Sequence, residues 1–194
     1  MPNLRFFAIL LFLLSLIYIL TGCIERKPEQ VRKRDSPVAG ELISILKDQE
    51  TYKRAKISTE VLNEQSMKQR QLVYQFLAQS LLVEPGDLYR AALVLQSTDT
   101  ATCKENLLLA YYMCQEAMRK GFDSARYTAA TSIDRYLVAS GVRQRYGTQI
   151  AQDRFGRYYL LPYDSTISDR ERAIYAVPPM DSLNKLVARL NASK

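Results

Sequence analysis

The chain has 194 residues, a formal net charge of +7, 47% hydrophobic residues, and neither histidine nor tryptophan. That length suits one ordinary domain. The missing histidine excludes Ser-His-Asp and Cys-His catalysis, imidazole metal ligation and the commonest general base. The sequence also has no glycine-rich phosphate loop and no cysteine pair at zinc-site spacing. No metal or cofactor is therefore expected, and carboxylate, lysine, tyrosine and thiol chemistry are what remain.

The N-terminus reads as an address. Met1 to Arg5 is a short basic start, and Phe6 to Leu20 is apolar apart from Ser15 and Tyr18. This run falls short of the roughly 20 residues a membrane span needs and matches the core of a signal peptide. Leu20-Thr21-Gly22-Cys23 then has the form of a lipobox. The expectation is a signal peptide over 1–22, cleavage before Cys23 and acylation of that thiol. The competing reading is a plain membrane anchor with a coincidental cysteine. Burial of an acyl chain gains about 0.8 kcal/mol per CH₂, so two or three chains hold firmly. The membrane would thus be a partner through acyl chains, and the domain would lie outside the cytoplasm in a bacterial cell envelope. Ile24, where an aspartate would signal retention in enterobacterial-type lipoproteins, favours the outer membrane if there is one.

Residues 23–40 contain Pro28 and Pro37 and lack apolar periodicity, so they read as a flexible tether. Arg26, Lys27, Arg32, Lys33 and Arg34 would lie near anionic head groups. With no recognition motif and an extracytoplasmic address, nucleic acid is not an expected partner.

A single globular domain is expected over 41–194, mainly α with one small β-hairpin. Leu42, Ile43, Ile45 and Leu46 open an amphipathic stretch that turns polar from Lys47 to Glu60. A second runs through Leu72, Val73, Phe76, Leu77 and Leu81 and stops at Pro85-Gly86. Asp87 is placed to cap a third, with Leu88, Ala91, Ala92 and Leu95 on one face. Ser97 to Thr100 reads as a loop. The clearest helix is Thr102 to Lys120, where Cys103, Leu107, Ala110, Cys114, Ala117 and Met118 form one stripe and Gly121 ends it. On a common helix Cys103 and Cys114 would stand roughly 16 Å apart along the axis, too far for a disulfide, and a bridge would require the helix to begin after Cys103.

A further helix begins at Asp123 or Ser124, with Ala125, Ala129, Ile133 and Leu137 inward, and ends before Gly141. Small residues at Ala91, Ala92, Ala117, Gly121, Ala125 and Ala129 suit close packing of antiparallel helical hairpins of the tetratricopeptide or Sel1 kind, although no repeat period is evident. Tyr146 to Gln152 and Tyr158 to Tyr163 read as the two strands of the hairpin, at about 146–163. Ser168 with Glu171 makes a capping box for a short helix to Ala176, which Pro178-Pro179 terminates. Leu183, Leu186, Val187 and Leu190 mark a last amphipathic helix.

One segment is too specific for ordinary loop: Asp134-Arg135, Gly141, Gln144, Tyr146-Gly147-Thr148-Gln149, Pro162, Asp169-Arg170-Glu171-Arg172-Ala173 and Val177-Pro178-Pro179. In these residues the chain resembles DUF6624, a bacterial family of unknown function. Its pattern is a helical Asp-Arg pair, a glycine, Gln-x-Tyr-Gly-Thr-Gln, a strand with proline, an Asp-Glu-Arg-Arg-Ala helix and a Gly-Leu-Pro-Pro turn. The likeness extends over Leu72 to Leu190, with Asp48-Gln49 as a weaker match nearer the start, and is tightest from Asp134 to Pro179. Arg170-Glu171 stand in reversed order, and Ala176 occupies the glycine position. The family has no established activity, so the resemblance implies a cluster of residues and not a reaction.

Read for their chemistry, Gly147 marks a bend or close approach, and Gln144, Thr148 and Gln149 supply neutral donors and acceptors. Asp134-Arg135 supply charge, and Arg172 offers a fork for a carboxylate or phosphate. Two uses fit this set: a polar ligand pocket at the Tyr146–Gln149 turn, or a buried network that pins the hairpin to the helices. Tyr111, Tyr112, Tyr158, Tyr159 and Tyr163 either line a sugar or peptide groove or cover half-wet faces. The expected function is a lipid-anchored binding or interaction protein of the envelope, with catalysis disfavoured. The alternatives are a histidine-free enzyme using Asp134 with Arg135 and Arg172, and a lipid-anchored immunity or inhibitor protein.

Overall fold

The computed structural model describes residues 36–55, 58–97 and 103–193. The expected signal peptide, the expected lipobox with Cys23, most of the expected tether and residues 98–100 of the expected loop lie outside the described residues. The domain begins slightly before the expected boundary at residue 41. Val38 is already buried, and helix α1 (Ala39–Arg54) adds Leu42, Ile45 and Gln49 to the same stripe.

Among the described residues the protein has seven helices and one two-stranded antiparallel sheet. Helix α2 (Thr59–Ala78) turns Gln69, Val73 and Phe76 inward. The Gln49 amide donates to Gln69 Oε1 at 2.9 Å, joining α1 to α2. Helix α3 (Pro85–Gln96) starts two residues before the expected cap. Pro85 fills its first turn, where a missing N–H costs nothing and φ is already set. Asp87 therefore lies inside the helix and does not cap it. It is buried, with Oδ1 3.0 Å from Arg90 and Oδ2 without a partner among the described residues.

Helix α4 (Glu105–Arg119) buries Asn106, Leu107, Ala110, Met113, Cys114 and Ala117. It starts later than expected, so Cys103 precedes it. Both Cys103 and Cys114 are free thiols, and burial pushes the Cys114 thiol up to about 12. Helix α5 (Ala125–Ala139) follows after a short link and packs on α4, which in turn packs on α3. Ala91, Ala92, Ala110, Ala117, Ala125 and Ala129 are all fully buried where these helices meet, as close approach requires. Gly121 is exposed and takes no part in that contact.

Four helices end in one hydrogen-bond pattern. After α4, Gly121 N–H reaches Met118 O and Phe122 N–H reaches Ala117 O, and the same pair of bonds closes α2, α5 and α6. The residue at the bend must take positive φ. Glycine does so after α4 and α5, but Ser80 and Ala176 are held at φ 54°, which costs an L-residue roughly 1–2 kcal/mol.

Beyond α5 the chain forms strands β1 (Ile150–Gln152) and β2 (Tyr158–Leu160), with Ile150 opposite Leu160 and Gln152 opposite Tyr158. The hairpin is shorter than expected: residues 146–149 and 161–163 lie outside the strands. Its loop is organised by Asp153, whose Oδ1 accepts from the amides of Phe155 and Arg157, both at 2.9 Å. Helix α6 (Asp169–Ile174) carries the complete Ser168–Glu171 capping box. Helix α7 (Met180–Ala192) buries Leu183 and leaves Leu186 exposed. It is tied to β2 by Asn191, which accepts from Tyr158 N and donates to Tyr158 O. Ala130, Tyr146, Val177 and Leu183 form a second, smaller core under these C-terminal elements. No helix among the described residues is long and apolar enough to cross a membrane.

Candidate functional site

The Tyr-Gly-Thr-Gln turn is held by one carboxylate. Asp134, near the end of α5, is fully buried. Its Oδ1 accepts from Arg145 N at 2.7 Å and Tyr146 N at 2.9 Å. Its Oδ2 accepts from Thr148 N at 2.9 Å and Thr148 Oγ1 at 2.8 Å. Four donors on two oxygens match the full accepting capacity of an ionised carboxylate.

Gln144 is a second pin, also fully buried. Its Nε2 donates to the carbonyls of Gln149 and Leu161, both at 2.9 Å, and its Oε1 accepts from Gln149 N at 2.7 Å. Its backbone pairs with Pro162 O and Asp164 N. One glutamine thus clamps the turn to the segment that follows β2. Arg172 on α6, 2% exposed, is a third. Its Nε donates to Tyr146 O at 3.2 Å and its Nη1 to Ile167 O at 2.5 Å. Asp169 Oδ1 lies 3.9 Å away.

Gly147 takes φ +83°, and an added Cβ would meet Met180 Cε at 3.1 Å and Leu183 Cδ1 at 3.3 Å. The backbone conformation therefore favours glycine there, and an added side chain would also press on the ends of Met180 and Leu183. Gln149 donates from Nε2 to Thr148 Oγ1 at 2.8 Å.

Asp134, Gln144, Tyr146, Gly147, Thr148, Gln149 and Arg172 are thus brought together. Arg135 is not. Its Nη1 donates to Gln96 O at 2.7 Å, at the end of α3, and it forms no ion pair with Asp134.

Beside the pinned turn the buried Tyr146 meets the half-buried Tyr111 and Tyr175, a cluster of phenols that sequence reasoning did not assemble. The rings of Tyr146 and Tyr175 lie 4.6 Å apart, and Gln115 Nε2 donates to Tyr175 Oη at 2.7 Å. The hydroxyls of Tyr111 and Tyr146 interact electrostatically with that of Tyr175. Arg145 is exposed, with its guanidinium 5.6 Å from the centre of the Tyr146 ring. Burial is the main cause that pushes the Tyr111 hydroxyl up to about 12 and raises that of Tyr146 as well. Burial also acts upward on Tyr175, but donation from Gln115 and the interactions with Tyr146, Tyr111 and the Arg145 charge outweigh it. The Tyr175 hydroxyl consequently ionises below the usual tyrosine range.

Tyr112 and Tyr159 are exposed. Among the described residues Tyr112 has one aromatic neighbour, Tyr111, tilted against it with ring centres 5.4 Å apart, so the five tyrosines singled out from sequence do not form one groove. Among the described residues no three Asp, Glu or Cys side chains are placed to hold a metal ion. Comparison with family models, curated proteins and solved structures finds no match to this chain.

Proposed function

We propose that the chain is a lipid-anchored, non-catalytic binding module of the bacterial cell envelope. Its ligand face is the half-buried tyrosine cluster with Arg145, and the conspicuous polar motif is the frame behind that face. The carrying observation is the saturation of Asp134 by four donors from the turn. An acid–base role needs a carboxylate oxygen within reach of a substrate proton, and these oxygens are buried and occupied. Tyr111, Gln115, Arg145 and Tyr175 instead offer hydroxyls, an amide and a positive charge beside aromatic rings. That chemistry suits a polar ligand bearing hydroxyl and anionic groups, such as a glycan or muropeptide. Membership of the DUF6624 family is part of this proposal, since the residues that carry the resemblance build the frame and its flanks.

Full-length protein in non-ionic detergent, titrated with soluble muropeptides, should show a saturable rise in melting temperature. Tyr175→Phe and Arg145→Ala should retain the unliganded melting temperature within a few degrees and lose most of that rise. A wild-type melting temperature that does not respond to muropeptides or to neutral envelope glycans would overturn the reading.

A further inference from the structure

A cleft of about 400 Å³ lies between α1, α3 and α5, lined by Leu46, Gln49, Lys53, Leu93, Ser97 and Arg135. It shares no lining residue with the tyrosine face, so what it binds is a separate question from the function proposed above.

Most of its polar groups are already engaged. Both amide hydrogens of Gln49 are used, on Gln69 Oε1 and Ser97 Oγ at 2.9 Å each. Ser97 Oγ donates to Val94 O at 2.7 Å. Glu50, on the rim, pairs with Arg54. Arg135 differs: among the described residues its only hydrogen bond is the one from Nη1 to Gln96 O at 2.7 Å. No carboxylate lies within ion-pair distance of it among those residues. A guanidinium has five donors in a planar fork, so most of this one is uncommitted although the group is half buried. Burial without a counter-ion is unfavourable for a charge, and an incoming anion removes that penalty. Lys53 adds a second positive charge and, among the described residues, makes no bond of its own. Leu46 and Leu93 supply an apolar wall beside these cations.

We propose that this cleft binds a carboxylate with an apolar body, the carboxylate bridging Arg135 and Lys53 and the body resting on Leu46 and Leu93. The fork of Arg135 matches the two oxygens of a carboxylate. Inorganic phosphate also matches the fork but leaves the leucines uncovered, and acetate covers little of them.

The test is a calorimetric titration of full-length protein in non-ionic detergent with benzoate, acetate and inorganic phosphate, at constant ionic strength. Benzoate should bind saturably and about tenfold more tightly than either of the others, the factor expected for apolar area on the order of 50–60 Å². Arg135→Lys should weaken benzoate at least tenfold, because it keeps the charge and loses the fork. Lys53→Glu, at an exposed position, should weaken it several-fold without lowering the melting temperature. Benzoate that does not saturate would overturn the proposal. Equal affinity for benzoate and phosphate would overturn the apolar half of it. Should Arg135→Lys fail to fold, Lys53→Glu decides alone, and unchanged benzoate affinity in that variant refutes the site.

Discussion

Replacing Asp134 by alanine removes one acceptor that serves four donors, and the structure allows the cost to be bounded. Tyr146 N is buried, while the amides of Arg145 and Thr148 are partly buried. The Thr148 hydroxyl can rotate to another partner. Hydrogen bonds to a charged group contribute about 1.5–3 kcal/mol each, and buried donors left unmade cost about 1–3 kcal/mol. The four are not additive, because they share one side chain and three of the bonds are only partly buried. One fully buried and two half-buried orphans give about 3–5 kcal/mol. For a domain of this size that lowers the melting temperature by about 6–20 °C.

Asp134→Asn is the informative companion. Its remaining oxygen still accepts from Arg145 and Tyr146, and its new amide faces the Thr148 N–H, so about half of the loss is expected. Thermal unfolding of full-length protein by circular dichroism reads both. An alanine variant within about 1 kcal/mol of wild type would refute the reading of Asp134 as a structural pin. An asparagine variant no better than alanine would refute the assignment of the two oxygens.

Three other outcomes are expected. Cys23→Ser should abolish incorporation of an alkyne fatty acid in cells, and equal labelling of wild type and variant would sink the lipid anchor. In the folded protein at pH 8, Cys114 should resist alkylation while fully alkylating after denaturation, since its thiol is buried and pushed up to about 12. Mass spectrometry of the alkylated protein reads this, and rapid native labelling at Cys114 would contradict the packing of α4. Ala176→Gly should raise stability by about 0.5–1 kcal/mol, because glycine accepts φ 54° without the penalty alanine carries there. A destabilised glycine variant in denaturant unfolding would show that Ala176 does not hold that conformation.

Much of the helical order was legible because it rests on local rules. The stripe Leu107–Ala110–Cys114–Ala117 has helical spacing and is buried throughout. Ser168 with Glu171 forms the expected capping box, and Gly121 takes the expected bend. Asp87 was misread because proline at the first helical position is a stronger start signal than an aspartate two residues later. The strand expected from Tyr146 was misread because alternation of polar and apolar residues there serves bonds to Asp134 and Gln144, not a ladder. Those bonds span 5 to 14 residues of sequence, and no local pattern encodes them.

The pairing of Asp134 with Arg135 could have been doubted from helix geometry alone. Consecutive helical residues point about 100° apart, so one side chain enters the core and the other leaves it. Tyr175 was missed for a different reason. It precedes the bend at Ala176, and only the packing of α6 beneath the turn carries its ring to Tyr146 and its hydroxyl to Gln115.

The most direct test of the account is a map of where ligand touches the protein. Amide and tyrosine-ring resonances of full-length protein in detergent micelles would be followed as soluble muropeptides are added. Changes centred on Tyr111, Gln115, Arg145 and Tyr175, with the Asp134-bonded amides of Tyr146 and Thr148 shifting little, are what a rigidly framed binding face predicts. Changes centred on Asp134 and its amides, with the tyrosines unmoved, would contradict it.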